Sequence, residues 1–281
     1  MTSPDENLRL DRRAFTRLSA GGLAAGLGAR SARPAAAAVV ETAPVFTALR
    51  RKPLTIGILI FPDMDQIDFT GPFEVLSRLP DAKVHAIGVQ AGPFKDHLGL
   101  TLTPDCDIAG APALDVLQVA GGPGQEAIMD HEPALSLIRD HVAAGKPLFS
   151  VCTGALICGA AGVLRGRRAT THWAAFDLLP YFGAIPVRER VVVDGPLVTA
   201  AGVTAGLDGA LRLASLLRGD EAAERIQLDI QYAPQPPFDA GTPETAPAKV
   251  LAAVKAKYQP LTDARLRTAQ AAARRLGVGR A

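Results

Sequence analysis

Cys152 is the residue whose type and setting most readily do covalent chemistry. It closes the short apolar run Pro147-Leu148-Phe149-Ser150-Val151, and the small residues Thr153, Gly154 and Ala155 follow it. An apolar strand that turns through small residues into a helix is a nucleophile elbow, here with a thiol at its tip. Backbone N–H groups and the positive end of the following helix would face the sulfur and lower its pKa. The plainer alternative is a small buried thiol that packs and does not react.

A thiol nucleophile also needs a proton carrier and donors for developing charge. Asp68 lies in Asp65-Gln66-Ile67-Asp68-Phe69-Thr70-Gly71-Pro72, flanked by Ile67 and Phe69. That setting predicts partial desolvation, a raised carboxyl pKa and a proton to share with a nearby sulfur; the other use of such a residue is a helix N-cap. In Ala120-Gly121-Gly122-Pro123-Gly124, an N–H of Gly121 or Gly122 would join that of Thr153 in an anion-stabilising pocket, unless the glycines only make a tight turn. A phosphate loop is excluded, because the lysine and the serine or threonine of that motif are missing. His172, in Thr170-Thr171-His172-Trp173, is either a base or a buried, hydrogen-bonded ring. His85, His97, His131 and His141 are scattered without metal-ligand spacing, so metal catalysis is not expected.

These residues need a scaffold that brings them to one rim. Residues 54–61 (the apolar run Leu-Thr-Ile-Gly-Ile-Leu-Ile-Phe), 83–89, 116–120 and 147–151 read as strands. Helical patterns lie between them at 72–79 and 131–144 and follow the last of them at 153–161. Residues 168–171 read as a strand leading into a helix at 173–179, and 190–193 and 197–201 as a hairpin across Asp194-Gly195-Pro196. Helices are predicted at 204–217 and 221–232. Strands buried on both faces and alternating with helices predict an α/β sandwich, a mostly parallel sheet covered on both sides. Ligands in such sheets bind beyond the carboxyl ends of the strands, where Asp68, Gly121, Gly122, Cys152 and His172 all fall.

Length and composition are those of one large globular domain with appendages: 281 residues, 48% hydrophobic, 21% charged. A net charge of +2 without a long basic block gives no reason to expect nucleic acid as a partner. Residues 1–40 differ from the rest. Arg12-Arg13 is followed by Phe15, a short glycine- and alanine-rich apolar stretch and the small residues 34–38, the pattern of a twin-arginine export signal. That predicts a periplasmic or extracellular protein, and the stretch is too short for a stable membrane anchor; the alternative is a disordered basic tail. Three cysteines, Cys106, Cys152 and Cys158, do not make a disulfide framework, and Cys106 reads as a loop spectator. Residues 233–243 are a proline-rich strap. Beyond it, residues 246–281 form an alanine- and arginine-rich helical extension that Pro260 should divide into two helices, serving packing or dimer contact. The catalytic domain is placed at residues 52–245.

The stretches Ile56-Gly57-Ile58-Leu59-Ile60-Phe61-Pro62 to Pro72, Ser150 to Ala155, Arg168 to Trp173, Gly202-Val203-Thr204-Ala205-Gly206-Leu207-Asp208 and Tyr232-Ala233-Pro234-Gln235-Pro236-Pro237-Phe238 resemble the ThiJ/PfpI-like (class I glutamine amidotransferase-like) superfamily, and within it the isonitrile hydratases. The resemblance implies a flavodoxin-like sandwich, a homodimer, and hydration of an isonitrile to an N-substituted formamide with no cofactor. It implies Cys152 as nucleophile, Asp68 as its acidic partner and Thr153 as the assisting residue. Thr153 stands where peptidase-like relatives carry histidine, which argues against a cysteine peptidase. Two walls depart from the usual pattern, Ala120-Gly121-Gly122 and Thr199-Ala200-Ala201-Gly202, and bear on substrate choice more than on reaction class. The same site would also suit a glyoxalase or carbonyl-stress hydrolase using His172 for proton transfer, or a non-enzymatic thiol redox sensor. A transcription regulator is disfavoured, since too few residues follow the strap for its DNA-binding helices.

Overall fold

The computed structural model of the chain describes residues 43–278. The expected export signal, residues 1–40, lies outside the described residues.

Seven strands form the main sheet: β1 (Leu54–Ile60), β2 (Ala82–Gly88), β5 (Cys106–Asp107), β6 (Val116–Val119), β7 (Leu148–Val151), β10 (Val191–Asp194) and β11 (Leu197–Ala200). Their spatial order is β10-β11-β7-β6-β1-β2-β5. All neighbours pair parallel except β10 with β11, the predicted hairpin. The apolar runs explain this order of burial. In β6 and β7 every residue is buried, as expected for strands sandwiched on both faces.

Helices cover both faces. On one side α1 (Pro44–Leu49), α2 (Gln66–Leu76), α6 (Ala205–Arg218) and α7 (Asp220–Asp229) enclose a core with Phe46, Leu76, Phe149, Val151 and Leu213. On the other, α3 (Gln125–Ile128), α4 (Glu132–Ala143), α5 (Gly154–Ala160), a 3₁₀ helix (Trp173–Phe182) and α8 (Ala248–Leu276) enclose Leu117, Leu135, Leu148, Leu156 and Phe182. Leu148 belongs to one core and Phe149 and Val151 to the other, the alternation a strand imposes. The result is the flavodoxin-like sandwich with a mostly parallel sheet, plus a helical extension.

Four local expectations need correction. Residues 168–171 do not join the main sheet: β8 (Arg168–Ala169) pairs with β9 (Ile185–Pro186) in a separate two-stranded piece. The segment after it is a 3₁₀ helix with His172 as its N-cap, and Pro180 interrupts the donors that a longer α-helix would need. Cys106 lies in edge strand β5, not in a loop; a second small ribbon, β3 (Phe94–Lys95) with β4 (Thr101–Leu102), precedes it. The C-terminal extension is one continuous helix of 29 residues with Pro260 inside it. Pro260 and Ala256, whose carbonyl loses its helical donor, are both exposed, so that carbonyl is left on the solvent side of the helix. Helix α8 packs on the 3₁₀ helix and on α5 and α3, and that packing holds it together past the proline. Among the described residues no helix is long and apolar enough to cross a membrane.

Candidate active site

Strand β7 ends at Val151 and α5 begins at Gly154, so Cys152 and Thr153 are the corner between them. Cys152 has φ 55°, a left-handed conformation that costs an L-residue on the order of 1 kcal/mol or more. The surroundings impose it. Its N–H donates to the carbonyls of Ala200 (3.1 Å) and Ala201 (2.8 Å), and its own carbonyl accepts from Thr171 Oγ1 at 2.7 Å. With the backbone pinned on both sides, the sulfur is aimed at the N–H groups of Val203 and Thr153, which both hydrogen-bond to it. Val203 is itself at φ 25°, a rare place for a β-branched residue, and this presents its N–H to the sulfur.

Asp68 is fully buried in the first turn of α2. The N-cap role falls to Asp65, whose side chain accepts from Ile67 N–H at 3.0 Å, which frees Asp68 for the interior. Gly121 N–H donates to Asp68 Oδ2 (2.9 Å), Gln118 Nε2 donates to its backbone carbonyl (2.7 Å), and its carboxyl faces Cys152, with Oδ1 left without a hydrogen-bond partner among the described residues. Burial, then the nearby Asp65 charge, pushes the Asp68 carboxyl well above the usual carboxylate range. Burial, then Asp68, pushes the Cys152 thiol up as well, against the two backbone donors that pull it down. The expectation of a thiol lowered by the helix end is thus corrected for the sulfur alone: α5 is only seven residues long, and desolvation outweighs its dipole. Two buried negative charges in contact are not tolerated, so at neutral pH the Cys152–Asp68 pair retains at least one proton.

The predicted anion pocket also changes. Gly121 N–H is taken by Asp68, and Gly122 N–H donates to Thr153 Oγ1 at 2.9 Å, so neither glycine donor is open to a substrate. Thr153 Oγ1 in turn donates to the Gly122 carbonyl at 3.2 Å. Gly121 and Gly122 therefore brace Asp68 and Thr153, and the donors facing the reacting centre are those of Thr153 and Val203. A Cβ at Gly121 would stand 2.5 Å from Thr153 N and 2.8 Å from Asp68 Oδ2, which is why glycine is needed there.

Cys152, Thr153, Gly122, His172 and Val203 line a cavity of about 230 Å³. Its other walls are Asp65, His97, Pro123 and, from α8, Lys257, Tyr258, Leu261 and Arg265. His172 Nδ1 accepts from Ala174 N–H at 3.2 Å, and burial pushes its pKa down to about 4. The ring is therefore neutral near pH 7 with its hydrogen on Nε2, a donor and not a base. His97 Nε2 meets Asp65 Oδ2 at 3.3 Å on the rim. A wider cavity of about 600 Å³ adjoins across His172 and Val203, lined by Trp173, Phe176, Arg188, Glu244 and the strap residues 241–243.

The structure thus brings together Cys152, Asp68, Thr153 and His172, with Gly121 and Gly122 directly behind them. Sequence reasoning missed the α8 wall and the rim pair Asp65–His97. One signal for Arg265 existed: Leu261, Arg265, Ala269, Ala272 and Ala273 follow helical spacing, and a charged residue on that buried stripe is out of place unless it has a task. Among the described residues no three histidine, cysteine or acidic side chains group as metal ligands.

Residues 55–216 match the DJ-1/PfpI family. Over 225 residues, 80% of this chain and 99% of the other, the sequence is 46% identical to the isonitrile hydratase of Pseudomonas putida. The structure is similar to that of a ThiJ/PfpI family protein from Pseudomonas syringae, with a TM-score of 0.75 and 36% identity over 86% of this chain and 98% of that one. Oxidized DJ-1 of Toxoplasma gondii shares the fold at 23% identity and a TM-score of 0.60, and its whole length covers only 64% of this chain.

Proposed function

The chain belongs to the DJ-1/PfpI family, and on that premise we propose that it hydrates an isonitrile, R–N≡C, to the N-substituted formamide, with Cys152 as nucleophile and Asp68 as proton carrier. The observation that carries this reading is the fully buried Asp68 carboxyl set against Cys152, whose sulfur lines a small cavity, in a chain 46% identical to a known isonitrile hydratase. A narrow, rod-shaped electrophile suits a site of this size.

The steps balance with these two groups. Thiolate Cys152 forms the C–S bond at the terminal carbon while that carbon takes the Asp68 proton, giving the thioimidate R–N=CH–S. The Asp68 carboxylate then accepts a proton from water as the oxygen adds to carbon and passes a proton to nitrogen. Collapse of the tetrahedral species breaks the C–S bond, returns the hydroxyl proton to Asp68 and releases R–NH–CHO with free thiolate. The N–H groups of Thr153 and Val203 receive the departing thiolate, and His172 Nε2–H is a donor on the same wall. Every step is an addition, an elimination or a proton transfer, so the reading calls for no metal or organic cofactor.

Formamide production from a simple aliphatic isonitrile, followed with a chelator present, tests the reading directly. Cys152→Ala is expected to abolish turnover, and a fully active variant would sink the proposal. Asp68→Asn, which keeps shape but cannot cycle a proton, is expected to lose about 10²–10⁴-fold in kcat. Normal kinetics there would move the proton carrier elsewhere.

A further inference from the structure

Arg265 enters the cavity from α8, beyond the residues that match the family, and is only 3% exposed. Removing a guanidinium from water costs several kcal/mol unless an opposite charge faces it. Among the described residues Arg265 has no carboxylate ion-pair partner; its hydrogen bonds go from Nε to Gln125 Oε1 at 2.6 Å and from Nη2 to the Gly122 carbonyl at 3.4 Å. Both acceptors are neutral. Gln125 is fully buried, and its amide nitrogen is engaged with Met129 Sδ at 3.6 Å, so its oxygen is fixed towards Arg265. Glu126 on α3 acts on Arg265 from beyond ion-pair contact, and its carboxylate accepts a hydrogen bond from Thr268. The guanidinium is thus built in, oriented and left without a carboxylate in contact, on the wall of the cavity that holds the sulfur.

We propose that Arg265 is the counter-ion of the Cys152 thiolate, a positioning residue that places the proton of the Cys152–Asp68 pair on Asp68. Electrostatic coupling runs both ways: Cys152 is the foremost charge acting to keep Arg265 protonated, and Arg265 acts to lower the thiol. The other groups around the sulfur do not supply this charge. Asp68 opposes it, His172 is neutral, Asp65 is held with His97 at the rim, and Lys257 is exposed at the mouth. A carboxylate at position 125 would have cancelled the guanidinium, and the chain has an amide there. The task of α8 is then electrostatic as well as structural: it delivers the charge that makes the elbow reactive.

The role rests on Cys152 being the nucleophile of the proposed hydration, yet it is measured without isonitrile. The rate of Cys152 alkylation by iodoacetamide, followed as a function of pH on the full chain by mass spectrometry of the Cys152 peptide, reads the thiolate directly. Arg265→Gln removes the charge; Gln125→Glu keeps the guanidinium and neutralises it in place. Each is expected to move the alkylation midpoint up by about one pH unit or more, leaving about tenfold less reactive thiolate at the wild-type midpoint. An unmoved midpoint in either variant overturns the counter-ion role, and Gln125→Glu decides alone if Arg265→Gln does not fold. A wild-type protein that shows the shifted thiol but makes no formamide would overturn the hydration and leave the counter-ion intact.

Discussion

Backbone strain and side-chain reactivity meet at Cys152. The left-handed φ of Cys152 and the small positive φ of Val203 are both unfavourable for L-residues, and together they set one sulfur between two N–H donors. The strain is tolerated because the glycines behind it leave no slack. Gly121→Ala would drive a methyl group to within 2.5 Å of Thr153 N and 2.8 Å of Asp68 Oδ2, displacing the acid and the elbow together. A displacement of about 1 Å at such a site is worth about 10²-fold in rate, so Gly121→Ala is expected to lose about that much in kcat/KM towards isonitrile. Wild-type kinetics would show that Asp68 can move without consequence.

The elements show where sequence patterns carry information and where they stop. In α8, Pro260→Ala restores a donor and raises helix propensity by about 3 kcal/mol, while freeing the unfolded chain returns up to about 1 kcal/mol, so a net stabilisation of about 2 kcal/mol is expected in chemical denaturation. A lower unfolding midpoint would mean that Pro260 fits its site better than alanine. The long apolar runs of β1, β6 and β7 were legible because burial on both faces leaves only apolar sequence. The elbow was legible for the same reason, since small residues directly follow such a run. Strand β5 was not, because two residues carry no periodicity and pair only through the register set by Ile87 and Gly88. Asp68 could be read from its flanking Ile67 and Phe69, but the donors to the sulfur could not. Val203 contributes a backbone N–H, which has no signature in residue type, and Arg265 sits far along the chain in a helix whose other arginines are surface charges.

For the whole molecule, proton linkage discriminates between states of the Cys152–Asp68 pair. His172 is depressed to about 4 from 6.5, so the unfolded chain binds a proton there that the folded one refuses, and stability present above pH 6.5 is lost as pH falls towards 4. Over that interval the loss is about 3 kcal/mol. His141, depressed by its burial, acts in the same direction. Asp68, raised by burial, would act oppositely if the folded pair held two protons, because folding would then take up a proton that dissociates in the unfolded chain. With one proton on the pair, folded and unfolded chains carry equal numbers there, and the histidine slope stands uncompensated. Unfolding free energy measured by denaturant titration from pH 7 to pH 4 should therefore decline; a flat profile would assign two protons to the pair.

Helix α8 walls the cavity from about a hundred residues after the elbow, and synthesis reaches it later. The sheet, the elbow and the acid emerge from the ribosome first, while the helix that walls them in is still being made. For that interval Cys152 has its strained corner but neither its cavity wall nor the guanidinium. Synthesis of α8 is thus also the step that arms the thiol, so a chain truncated by premature termination after the strap would lack the reactive site even where its sheet had formed.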